Sequence, residues 1–138
     1  MMTPTFFAEI GSGELQWRDT NAGNIVAKAI LALEFKDLPV FLGFGGGHYV
    51  QRQTRLMFET EIAFGHIFSS YQTEALDADL VDYARQKSGA TYAYIDRKSF
   101  RSVERKRIES ILEDIGLPIL KSKDIRAKFP LEKTERML

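Results

Sequence analysis

The chain has no cysteine. That excludes disulfides, thiolate zinc ligands and cysteine nucleophiles, and it fits a reducing compartment. Neither charge is in excess, because 19 Lys and Arg balance 19 Asp and Glu. No global field therefore draws the molecule to a polyanion, and charge has to be read locally. No apolar run is long enough to span a bilayer, and the first residues lack the basic-then-apolar order of a secretion signal. These absences lead to the expectation of a soluble, cytoplasmic protein with no membrane partner. Histidine is scarce, with two copies, so the position of each is informative.

What is present reads as globular. Apolar residues at 44% and charged residues at 28% carry no disorder signature, and 138 residues suffice for one domain with its own core. The expectation is a single α/β domain over residues 1–138, with 130–138 as a loose tail.

The organising stretch is Pro39-Val40-Phe41-Leu42-Gly43-Phe44-Gly45-Gly46-Gly47-His48-Tyr49. Its apolar half reads as a buried strand. The glycines allow positive φ and close approach to the backbone, and the histidine stands at the far side of the loop. This arrangement suggests a site at a strand's carboxyl end.

Other strand candidates are Thr5–Ile10, Glu61–Phe68, Thr91–Ile95 and a short Pro118-Ile119-Leu120. A helix capped by Thr20 or Asn21 is expected to run to about Phe35, with Ile25, Val26, Ala29, Ile30 and Leu33 as a core-facing stripe. Residues 49–58 read as a loop ending in a short helix. Leu76, Leu80, Val81 and Ala84 mark another helix, stopped by Lys87-Ser88-Gly89. Ser99 or Ser102 is expected to cap the next, which carries Ile108, Ile111, Leu112 and Ile115 and ends before Gly116 and Pro118. Strands alternating with helices predict a three-layer α/β/α domain with a mixed, largely parallel sheet.

Several motifs are excluded. Gly11-Ser12-Gly13 is not a Gly-x-Ser-x-Gly nucleophile elbow, so a turn is the simpler reading. The glycine loop lacks the Gly-Lys-Ser/Thr ending of a Walker loop, and position 48, where a dinucleotide fingerprint has its last glycine, is His. What remains at Gly45, Gly46 and Gly47 is a set of adjacent N–H groups able to face an anion or a carbonyl oxygen. The competing reading is a tight turn.

His48 and His66 both follow glycine at or near expected strand ends, so they could share a pocket. General base, oxyanion stabiliser and metal ligand are the roles open to them. Two histidines do not make a zinc site, so a carboxylate such as Glu9 or Glu61 would have to join them. Arg97-Lys98, Arg101 and Arg105-Lys106-Arg107 form a local basic cluster that could contact phosphates. Alternatively it is a solvated helix face paired with Glu104 and Glu109. Arg52 and Arg55 lie just beyond the loop and could steer an anion. No Ser/His/Asp constellation can be assembled.

Three segments carry a family resemblance. They are Phe7-Ala8-Glu9-Ile10-Gly11-Ser12 followed by Trp17, then Gly43–Tyr49, then Gly65-His66-Ile67. In this order they resemble the archaeal and plant type of D-aminoacyl-tRNA deacylase, formerly D-tyrosyl-tRNA deacylase, in its C-terminal portion. The resemblance implies an architecture related to phosphorylases and peptidyl-tRNA hydrolases. It also implies zinc as cofactor and hydrolysis of the ester joining a D-amino acid to the 3′ end of tRNA. His48 would then activate water or bind metal, and Gly45–Gly47 would receive the oxyanion or the terminal phosphate. His66 would orient water or complete a metal site with Glu9. Tyr49, Arg52, Arg101 and Arg105 would hold the substrate. Typical members are longer and carry a Thr-His-His-Gly-Pro segment upstream. Two other readings therefore stay open: a non-catalytic tRNA-binding half whose chemistry comes from a separate chain, and a related peptidyl-tRNA or nucleoside hydrolase.

Overall fold

The computed structural model describes residues 8, 10–11, 13–34 and 36–131. The expected strand Thr5–Ile10 and the candidate ligand Glu9 fall largely or wholly outside them. The chain divides into two compact units, Met1–Asp37 and Leu38–Leu138.

In the first unit, α1 is the single turn Glu14–Trp17 and α2 spans Thr20–Leu31. The cap of α2 is Asp19, not Thr20 or Asn21. Its carboxylate accepts the N–H groups of Asn21 at 2.8 Å and Ala22 at 3.3 Å, satisfying two donors of the first turn. The helix stops at Leu31, short of the expected end near Phe35. None of its residues is buried, and Ile25, Ile30 and Leu33 are exposed, so the stripe is not core. A unit this small lacks the surface to enclose an apolar helix face.

The second unit is built on three parallel strands: β1 Val40–Phe44, β2 Ala63–Phe68 and β3 Tyr92–Ile95, in the order β2-β1-β3. The sheet among the described residues is thus parallel throughout, in line with the largely parallel sheet expected. The fifth expected strand shrinks to one parallel bridge, Ala93↔Ile119. Pro118 cannot donate to a ladder, and a helix begins at Ser122, leaving room for two bonds only.

Helix α3 (Gln51–Glu59) joins β1 to β2, and α4 (Ala78–Ser88) joins β2 to β3. Then follow α5 (Ser102–Asp114) and α6 (Ser122–Lys128). The alternation of side chains along the strands sorts the core into two layers. Phe41 and Tyr94 face Leu56 of α3 and Ile125 of α6. Leu42, Phe44, Ala93 and Ile95 face Val81 of α4 and Ile108 and Leu112 of α5. Helices therefore cover both faces, which is the expected three-layer arrangement.

Helix α4 ends as the sequence predicts, on Gly89 at φ 66°. Helix α5 instead begins on Arg101, whose N–H is taken by Glu104 at 2.8 Å, while Ser99 lies in the short 3-10 turn Arg97–Ser99. Helix α3 begins at Gln51, so the polar residues read as loop are helical. Residues 122–128, not among the expected elements, form a helix that fully buries Ile125.

Candidate functional site

Because the strands are parallel, their carboxyl ends share one edge. Phe44 pairs with both Phe68 and Ile95, so the loops after β1, β2 and β3 leave together. In the order β2-β1-β3 the chain turns to opposite faces after β1 and β3, which opens a crevice between them. The loop Gly45–Tyr49 occupies that crevice.

Two glycines of the loop are required by conformation. Gly45 has φ 92°, and a Cβ there would stand 2.8 Å from Phe100 Cε2 and 2.9 Å from Ser99 Cβ. Gly46 has φ 90° and packs on Val50. Both are pinned by hydrogen bonds. The Gly45 N–H donates to Phe68 O at 2.8 Å, and Gln53 Nε2 donates to Gly45 O at 2.8 Å. The Gly46 N–H donates to Ser99 Oγ at 2.8 Å, and the Ser70 N–H and hydroxyl both donate to Gly46 O at 3.1 Å. The expectation that all three glycines offer free N–H groups is therefore corrected for Gly45 and Gly46, whose donors are engaged inside the protein.

Gly47 differs. It has no positive φ, and nothing lies within 4 Å of a Cβ placed there. Its N–H and that of His48 make no hydrogen bond among the described residues, and both residues are exposed. They line a cavity of about 330 Å³ with Tyr49, Arg52, Asp96 and Ser99. The His48 ring stands edge-on to Tyr49 at 5.0 Å. Val50 closes the loop at φ 39°, ψ 47°, a left-handed conformation that is costly for a β-branched residue.

Behind the cavity lies a polar relay. Asp96 is buried at the end of β3. Its carboxylate accepts Ser99 Oγ–H at 2.8 Å and the Lys98 N–H at 3.2 Å, and it pairs with Arg52 Nε at 3.3 Å. Ser99 passes this anchoring on to Gly46. Gln53 is fully buried, with Oε1 lacking a hydrogen-bond partner among the described residues. Asp96, Ser70 and Gln53 were not singled out from the sequence, and Ser99 was read as a helix cap and not as part of the site. A carboxylate directly after the apolar run Tyr92–Ile95 was the available signal for Asp96; Ser70 and Gln53 carry none.

His66 is placed elsewhere. It pairs with Leu42 in mid-strand, just after a bulge at Gly65, and its ring lies 4.5 Å from that of Phe68. Gly65 is needed there because a Cβ would meet Ser88 Cβ at 2.3 Å. The bulge turns His66 toward α4, where it lines a cavity of about 260 Å³ with Tyr83, Lys87 and Ser88. The two histidines thus line different cavities, and the shared pocket is corrected.

Zinc needs three or four protein donors. Among the described residues no group of three His, Cys, Asp or Glu side chains could hold an ion. The described donor set therefore does not fit a zinc site. Of the basic cluster, Arg101 is exposed. Arg105 is mostly buried and faces Glu109 at 3.8 Å. Arg97 pairs with Glu109 at 3.2 Å, and Arg107 donates to the carbonyls of Thr73 and Leu76. No helix of the described residues is long and apolar enough to cross a membrane.

Comparison with known proteins places these features in context. The family model described as D-aminoacyl-tRNA deacylase matches residues 1–120. The chain is 53% identical over 129 residues to the D-aminoacyl-tRNA deacylase of Methanosarcina barkeri, covering 94% of this chain and 42% of that protein. It is 40% identical over 131 residues to that of Archaeoglobus fulgidus, covering 93% and 47%. Among solved structures it resembles the crystal structure of the conserved protein of unknown function AF0625, with a TM-score of 0.78 and 39% identity, over 88% of this chain and 44% of that one. The chain thus spans less than half the length of these relatives.

Proposed function

The chain belongs to the D-aminoacyl-tRNA deacylase family, and from that premise we propose that it hydrolyses the ester between a D-amino acid and the terminal ribose of tRNA. The observation that carries this reading is the His48 cavity. It combines an exposed imidazole, two unengaged N–H groups at Gly47 and His48, and the Arg52 guanidinium at one parallel-sheet edge.

The chemistry needs a nucleophilic water, a place for the oxyanion and a grip on the substrate. His48 takes a proton from water as the water oxygen attacks the ester carbonyl carbon. The negative charge developing on the carbonyl oxygen is received by the N–H groups of Gly47 and His48. The carbon–oxygen bond to ribose then breaks, and His48 returns the proton to the ribose oxygen. Arg52 balances the terminal phosphate, and the Tyr49 ring beside His48 forms a wall against the amino-acid side chain. Gly45 and Gly46 hold the loop in shape. Arg101 is free to meet the acceptor stem, whereas Arg105 positions Glu109. A charged-tRNA substrate implies action in the cytoplasm.

A second reading is favoured by one observation: the chain spans less than half the length of the relatives it matches. On this reading the chain supplies the tRNA-binding wall, while zinc, His66 and any further donors act together with a separate polypeptide.

The test is release of D-tyrosine and L-tyrosine from tyrosyl-tRNA by the purified chain, with zinc and with a chelator. D-specific release in both conditions supports the first reading. Binding of tRNA without release favours the second.

A further inference from the structure

Arg52 lines more than the His48 cavity. It also lines an adjoining cavity of about 290 Å³ between the end of β3 and the start of α6. The floor of that cavity is apolar, made by Tyr94, Ile119 and Leu120, and its rim carries Lys98, Lys121 and Lys123. The floor is fixed in place. The Ala93 N–H donates to Pro118 O at 2.8 Å, the Leu120 N–H to Ala93 O at 2.9 Å, and Ser122 Oγ to the Tyr94 hydroxyl at 3.3 Å.

The rim differs from the cluster on α5. There, Arg105 and Arg107 are committed to Glu109 or to carbonyl oxygens, and Arg97, which also lines this cavity, pairs with the same Glu109. The ammonium groups of Lys98, Lys121 and Lys123 make no ion pair or hydrogen bond among the described residues, and all three residues are exposed. Unpaired cations around an apolar floor fit a ring with a phosphate on either side better than a bare anion. Arg52 links this cavity to the one holding the reacting ester. The occupant must therefore carry rings and phosphates in series, one unit away from the ester.

Resting on the deacylase reading, we infer that this cavity binds the unpaired nucleotides immediately 5′ of the esterified one, with a base on Ile119 and Leu120 and its phosphates on Lys98, Lys121 and Lys123. Arg52 stands at the step between the two nucleotides. The cavity measures the single-stranded 3′ end and sets where the ester falls relative to His48. Single-stranded RNA held in this way is read by ring contact and charge, with little dependence on base identity.

The experiment measures binding of uncharged tRNA, whole and with its unpaired 3′ nucleotides removed, to the wild-type chain and to Lys121→Glu/Lys123→Glu. Both positions are exposed and make no ion pair, so the fold is retained, and a thermal melt checks this. The wild type is expected to lose at least ten-fold in affinity on truncation. The double variant is expected to bind whole tRNA at least ten-fold more weakly and to be indifferent to truncation. Its salt dependence should be shallower by about 0.7 in log–log slope for each phosphate that is no longer neutralised. Wild-type affinity in the double variant, or an undiminished truncation effect, overturns the inference. The binding pattern without any D-specific hydrolysis would instead overturn the deacylase reading and leave the nucleotide cavity standing.

Discussion

Arg52 Nε lies 3.3 Å from Asp96 Oδ1, an exposed guanidinium on a buried carboxylate. This pair ties the first turn of α3 to the loop after β3, and so closes the crevice that holds His48. Replacing Asp96 by Asn keeps an acceptor for Ser99 but removes the charge that orients Arg52. The expected result is a loss of about 1–3 kcal/mol in urea unfolding, within the range for a charge-assisted hydrogen bond. A rise in KM for D-aminoacyl-tRNA should exceed the fall in kcat, because Arg52 binds the substrate and does not react.

The three loop glycines separate into two kinds by substitution. Gly45→Ala meets Phe100 and Ser99 below 3 Å at a φ that side chains avoid. Strain and overpacking cost about 1–3 kcal/mol each, so a large drop in melting temperature is expected. Gly47→Ala meets nothing. Its stability should stay within about 0.5 kcal/mol of wild type, yet deacylation should fall at least ten-fold as the methyl intrudes where the carbonyl oxygen must sit. Equal stability losses in the two variants would contradict this division.

Val50 holds a left-handed conformation beside the cavity. Asn tolerates that region, so Val50→Asn is expected to gain about 1 kcal/mol of stability in denaturant unfolding. A loss would show that the Val50 methyls packed on Gly46 outweigh the strain.

Ile125 is fully buried against Phe41, Leu56 and Tyr94. Ile125→Ala should cost about 2–5 kcal/mol by calorimetry. Because α6 carries the wall of the nucleotide cavity, tRNA affinity should fall with it.

The strands were legible because β1, β2 and β3 are short apolar runs with abrupt ends. Gly89 was legible as a stop because a left-handed residue has few alternatives. Helix α6 was hidden by its composition: within Ser122–Lys128 one isoleucine alone is buried, too few to show a period. The position of His66 was misread because its setting is made by tertiary contact. At the bulge, Ser88 of α4, a neighbour distant in sequence, leaves no room for a side chain at Gly65. His48 and Arg52 were visible as neighbours of the glycines. The relay through Asp96 and Ser99 was not, because it joins residues 53 positions apart, as the Gly46–Ser99 bond shows.

If His48 on the glycine loop drives hydrolysis of D-aminoacyl-tRNA, single-turnover deacylation of D-tyrosyl-tRNA must respond to His48→Ala. The expected rate is lower by about 10²–10⁴, the usual contribution of a general base, with tRNA affinity unchanged. D-specific turnover at the wild-type rate in His48→Ala would contradict that role.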